Sequence, residues 1–344
     1  MTSGEHEPVF VPVSQRPRHP RHGVHAPRPT SSDRRPGSVR RTTTIDSVRP
    51  GDMMHDLVQT ARGRDLATAA DGSTTILDAA AVTAVIDYRQ HFRLSSIESD
   101  PPRRELESLV GKSVSTGFRA AMWEVVSDDR ARASLLHLLL DDLPGAALVS
   151  GYAIGAAGVR FERMEGAPVL QIENLCSGFR TGGTIMVERD AAGHPPMVTG
   201  PLAPSLAPSD DHLAWHDFDP LPARGMRRAR CLDVWREDAV ILARAYFRDS
   251  HVDESLTETV IHEYTVDVEV DPATVTVLSS RATAHSLPWT ECIHAVDSGS
   301  RIIGMRLDGM RPVIREEFVG ITTCTHLNDT LRSLEDIRGL IPLL

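Results

Sequence analysis

Lysine is almost missing from this chain, since Lys112 is the only one among 344 residues and every other basic side chain is arginine or histidine. Schiff-base catalysis, or a lysine that binds a nucleotide phosphate, would therefore have to use Lys112. Lys112 follows Gly111, as in a P-loop, but Leu106 occupies the position of the first P-loop glycine. The sequence therefore argues against a P-loop nucleotide site.

Long apolar runs and a disulfide framework are also missing. The N-terminal residues contain no apolar stretch of the signal-peptide kind, and the longest weakly polar run, 146–159, is too short to span a bilayer. Only four cysteines occur, at Cys176, Cys231, Cys292 and Cys324. We expect a cytoplasmic protein with reduced thiols that does not enter a membrane.

The charge is unevenly distributed. Residues 1–37 carry seven of the 23 prolines and six arginines, without hydrophobic periodicity, which predicts a disordered basic tail. The whole chain has a formal net charge of -10 and 41% hydrophobic residues. The remainder is therefore acidic and able to form a core, which argues against nucleic acid as the main partner and leaves a small-molecule substrate possible.

An internal repeat organises the rest of the chain. Residues 40–46 resemble 227–233, and 51–99 align with 235–283 without gaps. Further matches follow in the same order: Gly117 with Gly309, Glu124 with Glu316, and His137 with His326. We therefore predict a degenerate copy 1 at 38–144, an insert at 145–223 and copy 2 at 224–338.

Copy 2 predicts strands followed by helices. Alternating apolar residues and dense β-branching indicate strands at 228–234, 239–247, 262–270 and 274–282. Helical patterns follow at 292–303, 312–318 and 325–334. Two such copies predict an α+β fold with antiparallel strands and a pseudo-two-fold axis. The insert is expected to hold short strands at 148–163, 169–174 and 184–189, and then an irregular proline-rich segment at 194–223.

The closing motif of copy 2 carries a family resemblance. Arg227-Arg228, Pro288 to Cys292, Ile303-Gly304 and Cys324-Thr-His-Leu327 together resemble a bacterial family of uncharacterised proteins, a domain of unknown function whose members end in Cys-Thr-His-Leu. The resemblance covers about 224–338 and implies no activity. It implies that copy 2 is the better preserved unit, because Leu135 stands in copy 1 where Cys324 stands in copy 2.

Cys292, Cys324 and His326 form the leading candidate site. Cys292 opens a predicted helix, whose N-terminus would lower the pKa of its thiol, and Cys324 and His326 lie at the start of the last helix. Two thiols and an imidazole suit zinc or an iron–sulfur unit, with Glu291, His294 or Asp329 as a fourth ligand. Alternatively, one thiol is a nucleophile assisted by a histidine, or both thiols are simply packed in the core.

Two weaker candidates lie in the insert. Carboxylates and histidines at 209–219 could bind a divalent cation, although such proline-flanked loops are usually only solvated. The glycines of 176–183, with Arg180, could bind an anion, or could simply form a turn.

Three functions remain open at this point. The first is an enzyme that acts on a small organic molecule, acyl or aromatic, through Cys292, Cys324 and His326. The second is a metal or iron–sulfur module built from the same three residues. The third is a non-catalytic protein that binds a partner through the insert and the tail.

Overall fold

The computed structural model of the protein describes residues 17–29, 33–51, 53, 56–158, 172–193, 195–207 and 210–344. Its strands are β1 (Ser38–Val48), β2 (Asp56–Thr68), β3 (Thr74–Asp87), β4 (Arg93–Asp100), β5 (Met226–Glu237), β6 (Val240–Val252), β7 (Glu258–Asp271) and β8 (Thr276–Ser286). Its α-helices are α1 (Phe118–Val125), α2 (Ser127–Arg132), α3 (Leu135–Val149), α4 (Gly151–Ala156), α5 (Thr184–Ala192), α6 (Met310–Glu317), α7 (Thr325–Ser333) and α8 (Ile337–Leu340). Short 3₁₀ helices complete the elements, at Arg104–Leu109, Ser177–Phe179, Thr290–Ile302, Leu334–Asp336 and Ile341–Leu343.

The eight strands form one antiparallel sheet in the order β4-β3-β2-β1-β5-β6-β7-β8. Each half of the sheet therefore comes from one predicted copy, and each run of four strands is followed by helices. This confirms the predicted α+β class with antiparallel strands. The four strands and three helical segments predicted for copy 2 are present with shifted ends, although the segment at 292–303 is a 3₁₀ helix.

A pseudo-two-fold axis passes between β1 and β5. Thr43 pairs with Arg230, and on either side Arg41 faces Leu232 while Ile45 faces Arg228. The repeat makes Arg41 equivalent to Arg228 and Ile45 equivalent to Leu232. A rotation that exchanges the two copies therefore places the pair Arg41–Leu232 on the pair Arg228–Ile45. The internal duplication is therefore visible in the strand register.

The two halves share further details of backbone geometry. A register shift interrupts the β2–β3 ladder after Asp65 and the β6–β7 ladder after Asp249, at equivalent positions. Gly117 and Gly309 lie immediately before α1 and α6, with φ of 75° and 78°. Glycine adopts this left-handed conformation without a Cβ clash, so the same residue recurs at both helix starts.

One apolar core lies under the helices of each half. The copy 1 core gathers β2, β3 and α3, and includes Leu57, Val82 and Leu139. The copy 2 core gathers β6, β7 and the C-terminal helices. The other side of the central strands is covered by the proline-rich segment, from which Trp215 packs against Tyr246. We call the two sides the helix face and the loop face.

Buried charged residues join the two halves, alongside apolar contacts such as those of Val39 with the copy 2 core and of Met53 with Met226 and Ile261. Arg40 binds Asp233 and Arg227 binds Asp46 across the β1–β5 pair, which are symmetry-equivalent contacts. On the helix face, Asp141 of α3 accepts hydrogen bonds from two buried guanidiniums of copy 2, those of Arg311 and Arg332. We call the β1–β5 junction, together with the ion pairs on both of its faces that include those of Asp141, the central seam.

The predicted strands of the insert are wrong where the structure describes them. Residues 148–156 belong to α3 and α4, and Thr184–Ala192 is α5. α3 also continues through the predicted copy 1 boundary at 144, because its side chains are buried along almost the whole length. At the start of α5, Glu291 accepts hydrogen bonds from the backbone N–H and hydroxyl of Thr184, which stabilises a helix there. Residues 159–171 lie outside the described part.

The predicted tail is only partly described, because residues 1–16 and 30–32 fall outside. Residues 17–29 pack beside β8 as an extended segment. The N–H of Ala26 donates to the carbonyl of His285, and the N–H of Leu287 donates to the carbonyl of Val24. In the part of the chain that is described, no helix has both the length and the apolar character needed to cross a bilayer.

Replacing Asp141 with alanine tests the central seam. The change leaves the buried guanidiniums of Arg311 and Arg332 without this carboxylate, so we expect a loss of about 3–5 kcal/mol in the free energy of unfolding. Urea denaturation followed by circular dichroism measures it. Asp190→Ala removes an exposed carboxylate of α5 and should change the free energy by about 0.5 kcal/mol or less. Equal effects of the two variants would contradict a stabilising role of the seam.

Candidate functional site

The three predicted site residues lie on two C-terminal elements. Cys292 is in the first turn of the 3₁₀ helix Thr290–Ile302, Cys324 precedes α7, and His326 is the second residue of α7. Both thiols are buried, whereas the His326 side chain keeps 18% exposure. The Cys324 Sγ atom lies 3.9 Å from Nδ1 of His326. The structure therefore brings Cys324 and His326 together.

Cys292 belongs to a buried group that we call the thiol cluster, formed by Cys176, Cys292, Cys324 and Tyr264. The Tyr264 hydroxyl donates a hydrogen bond to Cys324 Sγ at 3.3 Å. A Cβ atom placed on Gly178 would lie 3.0 Å from Cys292 Sγ and 3.9 Å from Cys176 Sγ. The absence of a side chain at Gly178 therefore leaves room for the two sulfur atoms. Cys176, which the sequence suggested only as part of an anion loop, is therefore a neighbour of both predicted thiols.

Burial decides the protonation of these thiols. It raises the pKa of Cys292 well above its usual value, and it raises the pKa of Cys324 to about 12. The predicted lowering of the Cys292 pKa by a helix N-terminus is wrong, because the loss of hydration in the core outweighs the dipole of a short 3₁₀ turn. Both thiols are therefore neutral at physiological pH.

His326 instead meets two residues of the sheet that the sequence analysis did not select. Its ring stacks on that of His262, with centroids 3.5 Å apart and an angle of 14° between the planes. Its Nε2 atom lies 3.6 Å from an oxygen of Asp249. One ligand atom from each of Asp249, His262 and His326 lies within 4.8 Å of the others, and this is the only such trio among the described residues. We call it the histidine site.

The sheet register places the first two members side by side. Asp249 of β6 pairs directly with His262 of β7, just before the register shift. Such shifts re-aim side chains and recur beside functional sites. His262 also lies two residues before Tyr264, so both point to the helix face, where α7 brings His326 over them. The site thus requires two strands and one helix.

Arg228 fixes the carboxylate of the site. Its Nε and Nη2 atoms donate to the two oxygens of Asp249, each at 2.9 Å, and its Nη1 donates to Asp329 at 2.9 Å. A Cβ on Gly145 of α3 would lie only 2.4 Å from the guanidinium, so glycine at this point of the helix makes room for the ion pair. The bidentate geometry leaves Asp249 little freedom to turn.

Both imidazoles of the histidine site are held neutral. Burial lowers the pKa of His326 to about 3, helped by the nearby charge of Arg228, and burial lowers the pKa of His262 well below its ordinary value. The Nδ1 atom of His262 is buried and has no hydrogen-bond partner in the described part of the protein. A neutral ring with a free nitrogen is the form that binds metal ions or accepts protons.

Copy 1 lacks this arrangement. The repeat aligns Asp65 with Asp249 and His137 with His326, but it aligns Asp78 with His262, so only one imidazole is present. His137 is 1% exposed, and neither of its ring nitrogens has a hydrogen-bond partner among the described residues. The stacked pair is thus a property of copy 2.

The weaker candidate site at 209–219 is engaged in structural contacts. Asp211 accepts from the guanidinium of Arg34, and Asp219 accepts from Arg62. His216 is buried and its ring nitrogens bond the hydroxyls of Thr42 and Thr44. Ser209 lies outside the described residues. Asp211, His216 and Asp219 therefore fasten the proline-rich segment to the rest of the protein.

The comparisons with known proteins agree with the predicted family resemblance. Residues 226–339, which are 114 of the 344, match the family described as Protein of unknown function (DUF2889). The match coincides with copy 2 and includes all three residues of the histidine site. The searches of curated proteins and of solved structures each found no match to this chain.

Replacing His137 with leucine tests the effect of a buried neutral histidine. Burial is the main cause that lowers the pKa of His137 to about 4, against about 6.5 in an unfolded chain. The unfolded protein therefore binds more protons, and stability is lost as the pH falls from about 6.5 to about 4. Between about pH 6.5 and pH 4, we expect the free energy of unfolding of His137→Leu to fall by about 3 kcal/mol less than that of the original protein. Urea denaturation at several pH values measures this difference.

The exposed residue His294, changed to leucine, is the control for this experiment, and its stability profile should follow the original protein. If His137→Leu showed the same pH profile as the original protein, the histidine would have to bind a proton in the folded state as readily as in the unfolded one.

Thiol reactivity tests the protonation of the thiol cluster. All four cysteines are buried, so we expect none to react with Ellman's reagent in the folded protein and four to react after unfolding in guanidinium. Fast labelling of one thiol in the folded protein would show an accessible thiolate and favour the nucleophile hypothesis. The unfolded sample controls for prior oxidation.

Proposed function

We propose that copy 2 binds a divalent transition-metal ion at the histidine site, and that this ion serves an enzymatic reaction on a small organic molecule. The observation that carries the proposal is the convergence of Asp249, His262 and His326 within 4.8 Å. The three side chains come from β6, β7 and α7, so three separate elements direct metal-binding groups to one point.

The donor set suits zinc, cobalt, iron or nickel. Imidazole nitrogens suit first-row divalent ions, and two histidines with one carboxylate form a donor set that binds zinc or iron(II) in other proteins. Both imidazoles are neutral, so binding would not have to displace their protons. The carboxylate of Asp249 is already oriented by Arg228, as second-shell partners orient ligands in metal sites.

Binding would require the histidine pair to open. Stacked parallel rings direct their lone pairs side by side, whereas a bound ion lies in the plane of each ring at about 2.1 Å from its nitrogen. His262 is held within the sheet, and His326 is the more exposed of the two. We therefore expect His326 to rotate about its side-chain bonds and to bring its nitrogen towards Asp249.

Three protein ligands would leave coordination positions open for a substrate or for water. That is the difference between catalytic and structural metal sites, whose ligands are all supplied by the protein. Arg230 lies beside Arg228 and is paired with Asp142 at 2.9 Å, which adds a second buried guanidinium near the site. This surrounding of fixed charge supports a reaction in which negative charge develops on the substrate.

A cobalt titration tests the proposal. Purified protein treated with chelator is expected to bind one equivalent of Co²⁺, seen as absorption bands in the visible range and by calorimetry. His262→Ala and His326→Ala should each weaken binding by about tenfold or more, as the loss of a ligand does. His294→Ala is the matched control, because His294 lies on the neighbouring 3₁₀ helix and is exposed.

Two results would overturn the metal site. One is a folded protein that binds no Co²⁺ or Zn²⁺. The other is binding that His294→Ala weakens as much as His326→Ala. Loss of binding in the cysteine variants alone, Cys292→Ser or Cys324→Ser, would instead favour the thiol-based metal site predicted from the sequence.

A second candidate function is a metal-free enzyme that uses Cys324 with His326. The 3.9 Å contact between Cys324 Sγ and His326 Nδ1 favours it, because a thiol and a histidine at this separation can exchange a proton. The raised pKa of Cys324 weighs against it. Cys292, the third predicted residue, would act there only through its position beside Cys324.

A further inference from the structure

A cavity of about 340 Å³ lies on the protein surface between the N-terminal segment, α4 and residues 197–199. Its walls are mostly apolar and comprise Pro17, Pro20, Tyr152, Ala156, Met197 and Val198. Ligand cavities of this size are at the small end of the usual range. A single substituted ring fits the cavity better than a nucleotide does.

The walls of the cavity are held in place by specific contacts. The Tyr152 hydroxyl donates to the carbonyl of Val198 at 2.7 Å. Met197 packs on α4 at Gly155, where a Cβ would lie 2.6 Å from its sulfur. The N-terminal segment is anchored by His19, whose ring meets Trp289 edge-on and whose Nε2 lies 3.1 Å from Glu188. The cavity is thus formed by three fixed segments.

The charge of the cavity comes from Arg18. Its guanidinium donates to the carbonyl of Gly23 at 3.0 Å, and within the described part of the chain it forms no ion pair. His19, by contrast, is already paired with Glu188. Guanidinium binds carboxylates in a planar two-pronged geometry, so a carboxylate on the ligand would complete its contacts.

From these walls and this charge we propose that the cavity is a binding site for a small aromatic carboxylate. The ring lies between Tyr152, Met197 and the prolines, and the carboxylate meets Arg18. The proposal does not depend on the metal site. The two are nevertheless neighbours, because the ring of Tyr152 contacts His251, which lies two residues after Asp249 on β6.

Isothermal titration calorimetry with benzoate, and with uncharged benzamide as comparison, tests this site. We expect benzoate to bind one to one. Benzamide should bind at least about tenfold more weakly than benzoate, because the charge-assisted contact with Arg18 is lost. Arg18→Gln should weaken benzoate binding by about tenfold and leave benzamide unchanged. Arg21→Gln, an exposed arginine of the same segment, is the control and should not affect either ligand.

Gly155→Ala tests the apolar wall without touching the charge. Alanine is the better helix former, so α4 stays intact while the new methyl group pushes Met197 towards the cavity. Both ligands should then bind more weakly. The proposal is overturned if benzoate binds no tighter than about 1 mM to the folded protein. It is also overturned if Arg18→Gln and Gly155→Ala leave binding unchanged.

Retained benzoate binding in His262→Ala and His326→Ala, which remove the metal ligands, would show that the cavity works without the proposed metal. A folded protein of unchanged sequence that binds benzoate but neither Co²⁺ nor Zn²⁺ would refute the proposed function alone.

Discussion

Buried arginine–aspartate pairs are the interaction on which the arrangement of this molecule depends. Arg40 and Arg227 bind aspartates across the β1–β5 junction, while Arg41 and Arg228 bind aspartates of the next strand within each half. The larger part of each apolar core lies to either side, and the buried ion pairs lie between them at the axis. Taking such charges out of water costs several kcal/mol per ion, which good geometry has to offset. The gain is specificity, since any other register of β1 on β5 would leave these charges unpaired.

The seam also determines the geometry of the histidine site. Arg228 binds Asp249 and Asp329 at once, and its Nη1 lies 3.9 Å from Asp142 of α3. The carboxylate of the site is thus tied to both halves of the protein. Copy 1 repeats the scaffold, with Arg41 on Asp65, but has Asp78 in place of His262. The same arginine–aspartate framework therefore occurs in both halves, and the second imidazole is present in copy 2 alone.

Much of the fold follows from local patterns in the sequence. Alternating apolar residues and β-branched residues predict the strands of copy 2. Arginines and aspartates at matching positions predict the duplication, because the strand period sets the spacing between them. The strands predicted for the insert are wrong where tertiary contacts override the local sequence pattern. Pro144 and Gly145 indicate a break, yet α3 runs through both. The reason is that the helix is buried and Gly145 is needed beside the Arg228–Asp329 ion pair.

The site was harder to predict than the fold. The motif at the start of the last helix predicts His326 as a site residue together with Cys324. Its partners in the sheet, however, are set by the β6–β7 register and by the docking of α7, which no spacing along the chain encodes. One signal was available: His262 shares strand parity with Tyr264 and Val266, so it had to lie on the buried face. A histidine predicted there, opposite an aspartate that the repeat preserves, would have indicated the pair. The cysteine spacing favours the thiols instead, although burial raises the pKa of both Cys292 and Cys324.

The scarcity of lysine is consistent with this design. Each seam guanidinium reaches two carboxylate oxygens. Burial alone would lower the pKa of Arg41 and Arg228, but the carboxylates beside them outweigh it and raise the pKa of both. A buried ammonium would lose its proton more readily and could not bind in two prongs. The permanent charge of Arg228 in turn opposes protonation of His326, which keeps that imidazole neutral. The same arginine thus ties β5 to β6 and α7, orients the carboxylate of Asp249, and keeps His326 in the neutral form that a metal ion or a proton would use.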